Sequence, residues 1–150
     1  MSKLISKKAE ELAVSQKKKE INLAIQKVGQ LCDRDFFDKT KEFTKICNLP
    51  DQELSLGVSI IFTRIAVFTG LKQDIDPFIK QDIVNGLITN HRGLSLEEIE
   101  YAFCLDRDGV HGEPTPHYQF LNREYVGRVL NKYNKWKDQK REQYRIPTKF

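Results

Sequence analysis

Apolar positions recur every three or four residues along most of this chain, the period of a helix that buries one face. The first such stripe is Ile21, Ala24, Ile25, Val28 and Leu31. Lys17, Lys18 and Lys19 interrupt any stripe before it, so residues 1–19 are expected to project or fray. A short helix from about Arg34 to Cys47 follows, with Phe36 and Phe43 on one face, and Asn48-Leu49-Pro50 ends it. From Asp51 to Thr69 the spacing of Leu54, Val58, Ile61, Ile65 and Phe68 is helical, and Gly70 stands where a C-terminal cap belongs. The β-branched content of that span would also suit a buried strand, but its length favours a helix.

The later helices are punctuated more sharply. Asp76-Pro77 sets a capping carboxylate ahead of proline at the first helical position, and Ile79, Ile83 and Leu87 then line one face to about Asn90. After His91-Arg92-Gly93, Ser95 and Glu98 form a capping box while Leu94 and Ile99 can close a hydrophobic staple. That helix turns Ile99, Ala102 and Phe103 inward and stops near Gly109. The last helix, Arg123 to Lys140, is capped by Asn122 and stapled by Leu121 and Val126, with Val126, Val129, Leu130 and Tyr133 as its apolar stripe. Past Trp136 the stripe decays, because Lys137, Lys140 and Arg141 fall on or beside the face to be buried, so this helix should overhang the core. No hairpin signal and no internal repeat accompany these patterns. The expectation is an all-α fold: one compact domain of about five to six helices, with a lysine-rich extension over residues 1–19, the helical domain over 20–145 and a tail over 146–150.

At 150 residues, 39% hydrophobic and 31% charged, the chain is long enough for a real core. Its three cysteines, Cys32, Cys47 and Cys104, have no C-x-x-C spacing and imply neither a disulfide framework nor a standard zinc module. The N-terminus lacks an apolar signal region, and the greasiest stretch, GVSIIFTRIAVFTG, is short and carries Arg64, so a cytoplasmic protein without a membrane span is expected. The net charge of +4 conceals a division: residues 1–30 carry a balance of +4, residues 31–122 of −6 and residues 123–150 of +6. Two basic ends on an acidic body create a field that a mixed surface would not.

Candidate chemistry is thin. The approach to the Gly/Pro-rich loop and the loop itself offer Cys104, Asp106, Asp108, His111, Glu113 and His117, but the histidines are six apart with no local ligand pair, so zinc is not indicated. Setting Gly109 at the turn position of a calcium loop puts Cys104 and Thr115 where carboxylates are required. The connector reading is a rigid loop with a tucked segment from His117 to Phe120. Asp33 with Asp35 and Asp74 with Asp76 open helices, where capping accounts for them. Asp106 and Asp108 instead lie near a helix C-terminus, where the dipole opposes them. Phosphate-loop, dinucleotide, nucleophile-elbow and zincin motifs are absent, which argues against a nucleotide hydrolase. Cys104 lacks an orienting base or oxyanion donor and reads as a buried thiol. No catalytic residue, metal or cofactor is implied.

The basic last helix is the strongest candidate for a binding surface. At about 100° per residue, Arg128, Lys132 and Lys135 fall opposite Val126 and Leu130, with Tyr125 and Trp136 along one border. Together with Arg123 and Lys140 such a face could follow a phosphate backbone while Trp136 stacks on an unpaired base. A helix-turn-helix over residues 77–90 and 95–107 is the competing geometry. Its second helix would present Glu97, Glu98 and Glu100, which a phosphate-lined groove repels, so that acidic face is expected to meet a basic partner, another copy or water.

GLSLEEIEYAFCLDRDG, the following HY and LNREYVGRVLNKYNKW together resemble small helical accessory proteins of bacteriophages and mobile elements, over roughly residues 75–137. The resemblance implies a phage-type accessory role similar to that of helicase loaders, and carries over no active-site residue. The expected function is therefore a non-enzymatic, nucleic-acid-binding accessory of DNA replication, contacting single-stranded or duplex DNA and a protein such as a helicase. The alternative is a structural or assembly protein of a phage particle acting through protein contacts. A metal-dependent nuclease built on residues 104–117 ranks last. Oligomeric state is not fixed by these patterns.

Overall fold

A computed structural model describes residues 2–71, 76–117 and 120–145. Among them lie six α-helices: α1 (Ser2–Val28), α2 (Asp33–Lys39), α3 (Asp51–Thr69), α4 (Pro77–Asn90), α5 (Leu96–Arg107) and α6 (Arg123–Arg145). The described residues contain no strand; a single antiparallel bridge joins Lys45 to Ser95. The fold is all-α, as the periodicity predicts.

α5 is the axis of the domain, packed against α1, α3 and α6, while α4 lies against α3 and α6. Leu96, Ile99, Tyr101, Ala102, Phe103 and Leu105 are all buried, and they cover more than half of the helix circumference, the pattern of an element packed on several sides. Gly57 of α3 lets α5 come close: an added Cβ there would stand 2.4 Å from a Leu96 methyl.

The caps form as the sequence requires. Asp76 accepts from the Phe78 amide at 2.8 Å, Asn122 from the Tyr125 amide at 2.9 Å, and Gly70 ends α3 with φ of 74°. Ser95 and Glu98 make both bonds of the capping box. α3 is long and apolar enough by composition to cross a bilayer, yet seven of its residues, from Leu54 to Ile65, are buried inside this domain.

Three expectations are corrected. The helix drawn from Arg34 to Cys47 ends at Lys39: the Thr40 hydroxyl bonds back to the Phe37 carbonyl at 2.6 Å, and the chain re-forms as a short 3-10 turn, Ile46–Asn48. There the Ile46 amide donates to the Leu94 carbonyl at 2.8 Å, so the segment is tied to the turn before α5 rather than continued as a helix. Residues 2–19, expected to project or fray, project: α1 is continuous, and from residue 6 it is exposed almost everywhere until Ile25 and Val28 enter the core. α6 overhangs less than its decaying stripe suggests, since Tyr144 packs edge-on against Phe37 of α2 at 5.2 Å. Phe120 is exposed rather than tucked. Asp74, Tyr118, Gln119 and the tail 146–150 lie outside the described residues.

Candidate nucleic-acid interface

The cations of α6 are placed first by what holds them. Arg123 pairs with Asp82 of α4 at 3.2 Å, and its stem lies across Gly86, where an added Cβ would meet Nε at 2.8 Å. Arg128 pairs with Glu124 one turn earlier, both on the surface. Lys132 is 3.7 Å from the buried carboxylate of Asp106 and donates to the Glu113 carbonyl at 3.4 Å. Lys140 lies 3.9 Å from Asp33 and 5.9 Å from the Trp136 ring. Lys135 is exposed and has no hydrogen bond or ion pair among the described residues.

Trp136 corrects the expected stacking surface. Its side chain is only 5% exposed, with Tyr101 at 5.8 Å and Tyr133 at 5.7 Å between ring centroids. Tyr125 is equally buried, against Phe103 and His117. Neither ring is available to an unpaired base. Of the three cations proposed for one face, two carry a carboxylate partner; the exposed Arg128 pair is a weak one that a phosphate could displace, because surface ion pairs are worth about 0.2–1 kcal/mol.

The acidic face expected on α5 is also turned inward. Glu98 accepts from the Ser95 amide at 3.2 Å, the Tyr133 hydroxyl at 2.6 Å and the Lys137 ammonium at 2.7 Å. Glu100 is paired with Arg64 of α3 at 3.1 Å; burial pushes its carboxyl above the usual range and Arg64 pulls it back. With Glu98 and Glu100 turned inward, the acidic face of α5 is reduced to the half-exposed Glu97.

The loop after α5 is a strapped connector. Asp106 accepts from the Thr115 amide at 3.1 Å and from the Thr115 hydroxyl at 2.6 Å, which closes the loop over a buried carboxylate that Lys132 balances. Arg107 donates to the Cys104 sulfur at 3.4 Å, and burial pushes that thiol up, away from nucleophilic reactivity. Among the described residues no three His, Cys, Asp or Glu side chains gather as a metal site would require.

The two partly buried histidines give this region a pH dependence. Burial pushes His91 and His111 below the ordinary value of 6.5, with Asp106 opposing and Lys132 reinforcing the shift at His111. The unfolded chain is then the better proton acceptor, so stability is intact above 6.5 and falls as the pH drops below it. Glu97 and Glu100, both raised by burial, act with the opposite sign nearer the carboxylate range. The urea midpoint should be level between about pH 8 and pH 7 and decline from about pH 6.5 downward, less steeply in His111→Asn. A level midpoint through that window would contradict the desolvation of these rings.

Sequence reasoning undervalued α1. Lys7, Lys8, Lys18 and Lys19 are exposed and have no ion pair among the described residues, whereas Lys17 is engaged by Glu20 and Glu53. The signal is the lysine density of residues 1–19, a segment expected to project or fray and given no site residue. No protein-family model matches this chain, and neither a curated protein nor a solved structure is similar to it.

Proposed function

We propose that this protein is a non-enzymatic DNA-binding accessory that presents α1, rather than the face of α6, to the phosphate backbone. The observation that carries this reading is the contrast between the two basic ends. Most α6 cations are committed to Asp82, Glu124, Asp106, Glu98 and Asp33, while four lysines of the projecting α1 have no carboxylate partner among the described residues. Free ammonium groups on an overhanging rod release counterions when they meet a polyanion; internally paired ones release few. The resemblance to phage accessory proteins supports a place for such binding in phage-type DNA replication, with a cytoplasmic location and a protein such as a helicase as a further partner.

Anisotropy titration of the intact chain with a labelled oligonucleotide at about 50 and 200 mM salt tests the assignment. Reversing Lys7, Lys8, Lys18 and Lys19 to Glu is expected to weaken binding at least about tenfold at the lower salt. Reversing Arg128 and Lys135, the most exposed of the α6 cations placed on the candidate face, should change it less than about twofold. The opposite ranking would return the interface to α6.

A second reading, an assembly protein of a phage particle acting through protein contacts, is favoured by one observation. Leu12 and Leu23 of α1 are both exposed and stand eleven residues apart, three turns along the same line. Salt-independent absence of oligonucleotide binding, with α1 variants Leu12→Asp and Leu23→Asp losing self-association or partner capture, would select that reading instead.

A further inference from the structure

We infer that the polyanion accepted by α1 is duplex DNA, contacted through its phosphates without sequence reading, and not a single strand; this rests on the function proposed above. Lys7 and Lys18 are eleven residues apart, and so are Lys8 and Lys19. Eleven residues are close to three full turns, so the four amines form two parallel rows on adjoining strips of one flank, each row about 16 Å long. Glu11 is the single carboxylate between the rows. The flank is held straight by a continuous helix anchored in the core at Ile25 and Val28.

A rigid array of ammonium groups suits a rigid array of phosphates. Duplex DNA offers a charge every ~1.7 Å of axis, and each neutralised phosphate contributes a slope of about −0.9 in the salt dependence, against about −0.7 for a single strand. Single strands recover that difference by stacking bases on aromatic rings, worth about 1–3 kcal/mol per base. The lysine-bearing helix carries no such platform of its own. α1 contains no Phe, Tyr or Trp, and the α6 rings Tyr125, Tyr133 and Trp136 are buried. Phe68, half exposed, is already covered by the guanidinium groups of Arg64 and Arg107 at 5.1 and 4.8 Å.

Sequence reading needs forked donors or amides aimed at base edges, typically Arg, Asn or Gln. Between Lys7 and Lys19 the cationic flank has lysines, Glu11 and Ser15, and Gln16 lies on the other side of the helix, in line with Leu12 and Leu23. The acidic body, with its balance of −6 over residues 31–122, keeps the polyanion on the rod rather than drawing it across the domain. About four phosphates are neutralised, which sets both a modest affinity and a shallow salt slope.

The test is a set of anisotropy titrations of the full chain against a labelled duplex, its separated single strand, and two further duplexes of scrambled sequence. The expected results are duplex affinity about tenfold above the single strand, less than about twofold spread among duplexes, and a log–log salt slope of about −3 to −4 that collapses in the four-lysine-to-Glu variant. Circular dichroism of that variant checks that α1 remains helical. A single strand bound as tightly as the duplex, or a duplex preference by sequence, would overturn the inference and leave DNA binding by α1 standing. Failure of every oligonucleotide to bind would overturn both.

Discussion

Replacing Glu98 by Ala should lower the stability of the protein by about 3–5 kcal/mol, the usual cost of breaking a buried, hydrogen-bonded ion pair. Its side chain is 2% exposed and joins three elements. Oε1 receives the Ser95 amide that completes the α5 capping box, while Oε2 receives the Tyr133 hydroxyl and the Lys137 ammonium of α6. Truncation leaves the fully buried Tyr133 hydroxyl without an acceptor and removes the only carboxylate paired with Lys137 among the described residues. For a chain of this size each kcal/mol moves Tm by about 2–4 °C, so a fall of roughly 10 °C is expected. Ser95→Ala, which removes the cap but keeps the carboxylate, should cost only about 1 kcal/mol. Urea denaturation of the two variants decides the matter: a Glu98→Ala loss no greater than that of Ser95→Ala would mean that the bonds to α6 contribute nothing.

That hub also explains what was hard to read in the sequence. Local rules located α3, α4, α5 and the start of α6, because Gly70, Asp76, Ser95 and Asn122 act within one turn of themselves. The destination of a charge is not local. Glu98 reaches Lys137 thirty-nine residues ahead and Glu100 reaches Arg64 thirty-six residues behind, and neither separation leaves a mark in a helical period. A usable signal did exist: Leu96, Ile99, Tyr101, Ala102, Phe103 and Leu105 cover more than half of the α5 circumference, which leaves little solvent face for glutamates. The same holds for Lys137 and Lys140. Their position on the stripe to be buried suggested an overhanging helix, whereas they turn inward to buried or half-buried carboxylates.

The charge behind the candidate site is legible in the sequence; its internal pairing is not. Counting charges identified two basic ends, and both are basic. What separates them is tertiary: α2, α4 and α5 bring Asp33, Asp82 and Asp106 to α6, while among the described residues only Glu20 and Glu53 pair with α1, both through Lys17. An electrostatic footprint is therefore the charge left after internal pairing, a difference that composition overstates wherever a basic helix lies against an acidic body.

Phe36→Ala is expected to be the most damaging apolar truncation at the α2 end of the fold, costing about 3–5 kcal/mol. The ring is fully buried, stacked on Tyr101 with centroids 3.7 Å apart and tilted against Phe43 at 5.7 Å. A helix of seven residues has no independent stability, so α2 is held by this ring and by the bond from the Tyr101 hydroxyl to Asp33 at 2.6 Å. Once α2 loosens, the end of α6 loses its cover as well, since Tyr144 rests on Phe37 and beneath the Arg34 guanidinium at 4.7 Å. The damage should therefore be uneven. Amide exchange should accelerate in α2 and in α6 beyond Trp136, while α3 keeps its relative protection. Phe36→Leu, which retains most of the volume but not the stacking, should fall between the two. If truncation to Ala left α6 exchange unchanged, the clamp between α2 and α6 would have no energetic substance, and the last two turns of α6 would have to be held by their own helical bonds.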